Sequence, residues 1–271
     1  MSTSNYFTTR KPIDQFLSTV IDYYFFIDVP LDKLSLNTEF IIPFPRITLG
    51  YFFNHSFKAN NLTRNESQSV NWVFSRMTTD RIIVEPQTEK VKIIGAHARP
   101  FFLAYLTPKS LKDMSWLIAA EELLYISEQE IQIRLNACEN TALMFEELEK
   151  VLLEKIILKE LSLLVQSIEI IEKRAGNIGV TELSRLLGVS DRTIRNQFYD
   201  FIGCSPKDYI KLVKLKQVAF QLRYSNNSLT DIAHDNHYFD QAHFIHELKN
   251  ITGQSPNQLR KEMENFRFLQ F

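Results

Sequence analysis

Residues 190–210 read SDRTIRNQFYDFIGCSPKDYI, and residues 240–260 read DQAHFIHELKNITGQSPNQLR. At an offset of fifty, Ser190 answers to Asp240, Ile194 to Phe244, Phe198 to Leu248 and Gly203 to Gly253. Ser205-Pro206 answers to Ser255-Pro256, and Tyr209 to Leu259. Just upstream, VTELSRLLG (180–188) aligns with LTDIAHDNH (229–237) at an offset of forty-nine, so the register slips by one residue in the turn between the blocks. Self-similarity at such a period marks one supersecondary unit used twice.

Each copy carries the marks of two short helices joined by a tight turn. Thr181 and Thr230 are expected to cap the first helix of each copy, each ahead of an acidic residue at the positive helix end. Gly188 suits the left-handed residue that ends a helix, and Ser190 or Asp240 caps the next one. In that second helix Ile194 and Phe198 form one apolar face, leaving Asp191, Arg192, Arg195 and Asn196 to point elsewhere. Gly203 and Gly253 stop the second helices, and Ser-Pro supplies a cap and an N1 proline for the next. A helix-turn-helix with an exposed, side-chain-rich second helix is the geometry that enters a major groove. One such pattern is weak, because most helical hairpins never touch DNA; two copies, one of them basic, carry the inference.

The formal charge of −1 hides that basic block. Leu183–Arg223 holds 8 basic and 3 acidic residues, a net of +5, whereas Tyr224–Phe271 holds 4 and 6, a net of −2. A phosphate-binding footprint is therefore expected in the first copy.

The stretch from about Ile178 to Arg260 resembles the C-terminal domain of AraC/XylS-type transcription regulators. The pieces that carry the resemblance are LSRLLGVSDRTIRNQF, GCSPKDYIKLVKLKQVAFQL, LTDIAHDNHYFDQAHF and ITGQSPNQLR. It implies a sequence-specific DNA-binding regulator. Three positions depart from the family pattern: Asn196 and Lys214 stand where Arg is usual, and His237 stands where the second turn usually has glycine. A side chain held left-handed at His237 costs roughly a kcal/mol, and Asn236 beside it is the expected substitute for that role.

Roles follow from helix geometry. Arg192 and Arg195 suit guanine and Asn196 adenine; in the second unit Gln241 suits adenine, Ala242 a thymine methyl, and His243 and His246 share the exposed face. Lys207, Lys211 and Lys249 are candidate phosphate anchors, as are backbone amides at helix starts. The helix from Pro206 to Leu222 is read as amphipathic through Tyr209, Leu212, Val213, Gln217, Phe220 and Leu222, with Lys207, Lys211, Lys214 and Lys216 outward. At 1.5 Å per residue it spans about 26 Å and sets the spacing of two heads on adjacent major grooves, about 34 Å apart on straight DNA.

Residues 1–125 read differently. Ile21–Asp28, Arg46–Phe53, Val70–Phe74, Arg81–Val84 and Val91–Ala96 are short β-branched and aromatic runs, the pattern of a sandwich or small barrel. From Ser115 helical periodicity takes over through Leu123, Leu124, Ile131, Ile133 and Leu135. Thr141–Lys159 follows, with a stripe of Leu143, Leu148, Leu152, Leu153 and Ile156, and then a helix over Glu160–Arg174. The expected class is α+β, a β-rich N-terminal domain over 1–159 and an all-α double helix-turn-helix domain over 160–271 that folds alone. VKIIGAHARPFFLAYLTPKSL resembles the sensor-like N-terminal region of some AraC/XylS-type regulators, which implies a small-molecule effector, dimerisation, or both. Tyr23, Tyr24, Phe25 and Phe26 are read as core before pocket lining.

Composition excludes several classes. A chain of 271 residues suggests two domains, and 7 Gly disfavours Gly-rich nucleotide loops. No apolar signal core or membrane-length run is found, so the expectation is a soluble, unexported bacterial protein of the cytoplasm without a membrane partner. Cys138 and Cys204 read as reduced thiols. A metal-dependent enzyme on a small barrel is the rival from another class. Its support is six histidines, but His55 and His97 lack a nearby carboxylate at ligand spacing, and His234/His237 and His243/His246 lie inside the second unit. No Ser-His-Asp arrangement, P-loop or GxGxxG occurs, so no catalytic residue, metal or cofactor is expected. A protein-interaction module built on degenerate helix-turn-helix units is the third reading. The partners expected of a regulator are double-stranded DNA, an effector, RNA polymerase and a second copy of the chain.

Overall fold

The computed structural model describes residues 6–33, 39–53 and 57–263. Its strands are β1 (Phe7–Arg10), β2 (Ile21–Pro30), β3 (Glu39–Ile41), β4 (Ile47–Phe52), β5 (Phe57–Asn61), β6 (Glu66–Val70), β7 (Trp72–Ser75), β8 (Ile82–Pro86), β9 (Lys90–Ala98) and β10 (Leu117–Ala119). A one-turn helix, α1 (Leu17–Val20), leads into β2. Pairing among the described residues gives two antiparallel sheets, β1-β2-β9-β4-β7-β10 and β3-β8-β5-β6. Among the described residues no strand belongs to both sheets, so the N-terminal region is an open sandwich and the closed barrel is excluded.

Both faces of the larger sheet are apolar because both are covered. Successive side chains alternate across a strand. Tyr24, Leu49, Phe74 and Ile94 turn towards the helices. Phe25, Ile93 and Leu117 turn the other way and meet Phe57, Ala59, Val70 and Ile82. At the sheet centre Gly50 pairs with Gly95, where a Cβ would lie 2.6 Å from the Phe25 ring and 2.1 Å from the Leu49 carbonyl oxygen. Only glycine fits that approach.

Several sequence expectations shift. The run Val70–Phe74 is the junction of β6 and β7, not one strand. Leu117–Ala119 is β10, not helix, because it pairs with Val73–Ser75 of β7; tertiary pairing overrides the local period. The expected strands also omit β1 (FTTR), β5 (FKANN) and β6 (ESQSV), hidden by their polar composition, and β3 (EFI), hidden by its three-residue length.

The helices that follow are α2 (Ala120–Leu124), α3 (Glu128–Asn136), α4 (Thr141–Leu153), α5 (Ser162–Lys173), α6 (Val180–Leu187), α7 (Asp191–Phe201), α8 (Pro206–Tyr224), α9 (Leu229–Asp235), α10 (Gln241–Thr252) and α11 (Pro256–Met263). Asn140 caps α4 by accepting from the Leu143 amide at 3.1 Å. The helix ends at Leu153, short of Lys159, and buries Phe145, Leu148, Val151 and Leu152. Leu143, Leu153 and, on α3, Ile133 are exposed, so the expected apolar stripes are in part mis-phased. Glu149 is buried among those apolar residues where periodicity would place a hydrophobic side chain. It accepts from the Ile13 and Asp14 amides at 2.9 and 2.6 Å and pairs with Arg10 at 3.4 Å, tying the N-terminal segment to the helix.

The apolar core does not stop between the two halves. One cluster runs from Leu17 through Phe102, Leu148 and Ile168 to Phe198, Tyr209 and Val213. A second, in the last helices, includes Ile42 from the β-rich region, 1% exposed.

Candidate nucleic-acid interface

Helix α6 starts at Gly179 rather than at a threonine cap. Thr181 lies inside the helix, where its hydroxyl donates to Asp191 at 2.9 Å, and Ser184 donates to the same carboxylate at 2.5 Å. These bonds, from Ser184 first, hold the Asp191 carboxyl below the ordinary carboxylate range. Gly188 takes φ +68°, and Ser190 then accepts from the Thr193 amide at 3.1 Å to begin α7. Ile194 and Phe198 are fully buried, Phe198 lying 5.7 Å from the Tyr209 ring. Arg192, Arg195 and Asn196 are exposed on the opposite side. Gly203 takes φ +83°, and Ser205 caps α8 with Pro206 in its first turn.

Helix α8 has 19 residues, about 28 Å at 1.5 Å each. It serves both units: Tyr209, Leu212 and Val213 belong to the first core, and Leu215, Val218, Ala219 and Leu222 to the second. Lys207 is exposed and Lys211 half-buried. Lys214 and Lys216 do not face outward as expected: their ammonium groups lie 4.2 Å from the Tyr238 ring centre and 5.0 Å from that of Phe44, and burial lowers both pKa values. Phe220, assigned to the apolar face by periodicity, is exposed.

In the second unit Ser228, not Thr230, caps α9, in a reciprocal box with Asp231. Thr230 instead donates to Gln241 at 3.4 Å. His237 itself adopts the left-handed conformation, φ +53°. Asn236 does not take that role: it is buried, with its amide on the Ile232 carbonyl and the Gln221 side chain. Asp240 accepts from the His243 amide at 2.7 Å, α10 buries Phe244 and Leu248, and Gly253 closes it at φ +77°.

The exposed residues gather in two places. Arg192, Arg195 and Asn196 share an open cleft with Tyr199 and with Lys112 of the β-rich region. Lys207, Lys211, Ala242, His243 and His246 line a wide groove between the units, together with His237 and the start of α6 at Gly179 and Val180. Gln241 and Lys249 are exposed and line neither opening. Sequence reasoning missed Lys112 and Tyr199; Tyr199 stands one turn beyond Arg195, whereas nothing local marks Lys112. The histidines have ordinary neighbours: His243 lies 3.7 Å from Glu247, His246 2.8 Å from Asn250 and His97 3.3 Å from Thr48. His55 lies outside the described residues.

A polar seam fixes the first unit against the sandwich. Glu172 on α5 accepts from Arg46 at 2.6 Å and from the Tyr209 hydroxyl at 2.7 Å, and pairs with Arg99 at 3.3 Å. Asp22 holds Arg46 from the other side at 2.5 Å. Burial alone would lower the Arg46 pKa, yet Glu172 and Asp22 raise it; burial first and Glu172 second lift Tyr209 well above its usual value. Nearby, Arg76 is buried and donates to the backbone carbonyls of Met114, Ser115 and Gly203, the last just past the end of α7. That burial lowers its pKa.

Between the sheets lies an apolar cavity of about 170 Å³ whose polar wall is Thr48, Ser75 and His97. Phe25 lines it, while Tyr24 packs in the core 6.1 Å from Phe145. A smaller cavity of about 60 Å³ shares Thr48, Ser75 and His97 and reaches Arg46 and Arg76.

Residues 183–262 match a family profile described as Helix-turn-helix domain. Over 82 residues the chain is 35% identical to the HTH-type transcriptional activator RhaS of Yersinia pestis (strain Pestoides F), a match covering 30% of each protein. The chain thus spans under a third of the length of the curated relatives it matches. Across nearly the whole chain the fold is similar to ToxT from Vibrio cholerae, with TM-score 0.51 at 11% identity over 97% of this chain and 99% of that one. A ToxT structure from strain SCE256 with unsaturated fatty acid bound matches at TM-score 0.50 and 11% identity over 96% of each chain. The profile and the capped, repeated helix pairs agree that residues 183–262 form a helix-turn-helix domain.

Proposed function

We propose that the chain is a cytoplasmic, sequence-specific DNA-binding transcription regulator with no catalytic role, divided near residues 159 and 160 into a sensing and a DNA-binding part. The observation that carries this is α7: a capped helix, locked to α6 through Asp191, presenting Arg192, Arg195 and Asn196 from a basic block. Helix α10 repeats the arrangement, and α8 spaces the two for adjacent major grooves. The length of α8 falls short of the groove repeat, so bound DNA bends. Fluorescence anisotropy against DNA from upstream of its own gene tests this. Arg195→Ala should lose about 1–3 kcal/mol of discrimination between matched and altered sites. Equal binding of both sites by the native chain would overturn it.

The sandwich cavity supports a small-molecule effector with an apolar body. Its polar wall adjoins Arg46 and Arg76, which suits a polar or acidic head, and the fatty-acid-bound ToxT structure is consistent with that chemistry. A thermal-shift titration with a monounsaturated fatty acid, native against Thr48→Val, tests it. RNA polymerase and a second copy are the further partners of this function; Leu143 and Leu153 are the exposed large apolar residues of α4 that a second copy could cover.

A further inference from the structure

The segment from Thr107 to Trp116 joins the sheet region to β10 and is clamped onto the far end of α7. The Leu111 amide donates to the Asp200 carbonyl at 2.8 Å, and the Ser110 hydroxyl donates to the Asp200 carboxylate at 2.9 Å. Arg76 ties the carbonyl of Met114 to that of Gly203, and Leu111 is fully buried in the shared core. The segment therefore holds a set position relative to α7. Its next residue, Lys112, is exposed and opens into the same cleft as Arg192, Arg195, Asn196 and Tyr199. Those four stand at i, i+3, i+4 and i+7, one stripe of the helix.

Among the described residues Lys112 has no ion pair, and neither Arg192 nor Arg195 has one. Three cations around one open cleft repel one another, and a polyanion laid across the cleft relieves that repulsion. The two arginines on the helix stripe suit base edges. Lys112 arrives from the side on a separate, anchored segment, where a duplex seated on α7 presents its backbone. A lysine there acts as a point charge on phosphate.

We propose that Lys112, contributed by the β-rich region, makes a phosphate contact beside the base-reading face of α7, so that the DNA footprint extends beyond residues 183–262. The proposal rests on the DNA-binding function above. It makes the sandwich part of the DNA interface, and any change at Arg76 or Leu111 would then shift a DNA contact.

The test uses the full chain, a fixed duplex carrying the selected site, an altered duplex, and anisotropy between 50 and 200 mM salt. Lys112→Gln should weaken binding several-fold near 0.1 M salt, to the same degree on both duplexes, and should make the log–log salt slope shallower by about 0.9. Lys112→Glu should weaken it further. Lys109→Gln, on the same segment but outside the cleft, should change neither. Unchanged affinity and slope in both Lys112 variants would overturn the proposal, as would tighter binding, which would make the segment an obstacle to DNA. Arg195→Ala separates the two levels. If it loses discrimination while the Lys112 variants match the native chain, only the Lys112 contact fails; if no variant and no duplex differ, the DNA-binding function fails with it.

Discussion

Glu172→Gln removes one charge from the seam between the sandwich and the first helix-turn-helix while keeping the side chain's shape. In the native chain this carboxylate takes Arg46, Arg99 and the Tyr209 hydroxyl within 3.3 Å. The amide cannot accept from all three, and it leaves Arg99 without its carboxylate. Removing one member of a fully buried pair costs about 3–5 kcal/mol. Here Glu172 is 23% exposed and Asp22 still holds Arg46, so water and the second acid recover part of the loss. The expected cost is about 2–3 kcal/mol, the scale of hydrogen bonds to charged groups. At about 2–4 °C per kcal/mol, the melting midpoint should fall by about 5–10 °C. Tyr209→Phe deletes one donor to the same carboxylate, which keeps both arginines, and should cost about 1.5 kcal/mol, the low end for a bond to a charged group. Denaturant unfolding followed by far-ultraviolet circular dichroism measures both. A Glu172→Gln variant within about 0.5 kcal/mol of native, or less damaging than Tyr209→Phe, would show that the seam is not a linchpin of the interface.

Three further outcomes are expected. The Asp191 carboxyl titrates low because Ser184 and Thr181 donate to it, so its contribution is present above the unfolded value of 3.8 and is lost as pH falls below it. Asp191→Asn should therefore be less stable than native at pH 7, and the gap should narrow towards pH 3; a constant gap in acid unfolding curves would remove this role. Ile42→Ala opens a hole in the second unit's core and should cost about 2–5 kcal/mol; a 160–271 fragment, which lacks Ile42 and the sandwich, should unfold at lower denaturant than the full chain, and equal midpoints would show that the shared core contributes nothing. Burial pushes the Cys204 thiol up to about 12, so it should resist iodoacetamide in the folded chain at pH 8.5 and react only on unfolding, whereas alkylation at the rate of a model thiol would place it at the surface.

How much was legible follows from the range of each interaction. Gly188, Ser190, Gly203, Ser205-Pro206, Asp240 and Gly253 act within a turn of their own position, and their pattern repeats after fifty residues. The sequence alone therefore determined two helix-turn-helix units, their order, and the exposed faces of α7 and α10. It also determined that a β-rich region precedes them, because β2, β4, β8 and β9 carry dense β-branched and aromatic runs. Caps were partly misplaced, since Gly179 and Ser228 lie outside the aligned threonines and Thr181 and Thr230 reach across to the next helix instead. Everything set by contacts distant in the chain awaited the tertiary structure. Polar β1, β5 and β6 are strands because partners complete their ladders. Lys214 and Lys216 are drawn in by aromatic rings from Tyr238 and Phe44. His237 accepts a left-handed backbone while Asn236 is committed to Gln221. Above all, Glu172, Arg46 and Arg76 have no local signature: each is an ordinary charged residue until folding sets it against a partner dozens of residues away. Local backbone preferences write the helices and turns into a short window, but the charge that joins the two halves exists only once both have folded against each other.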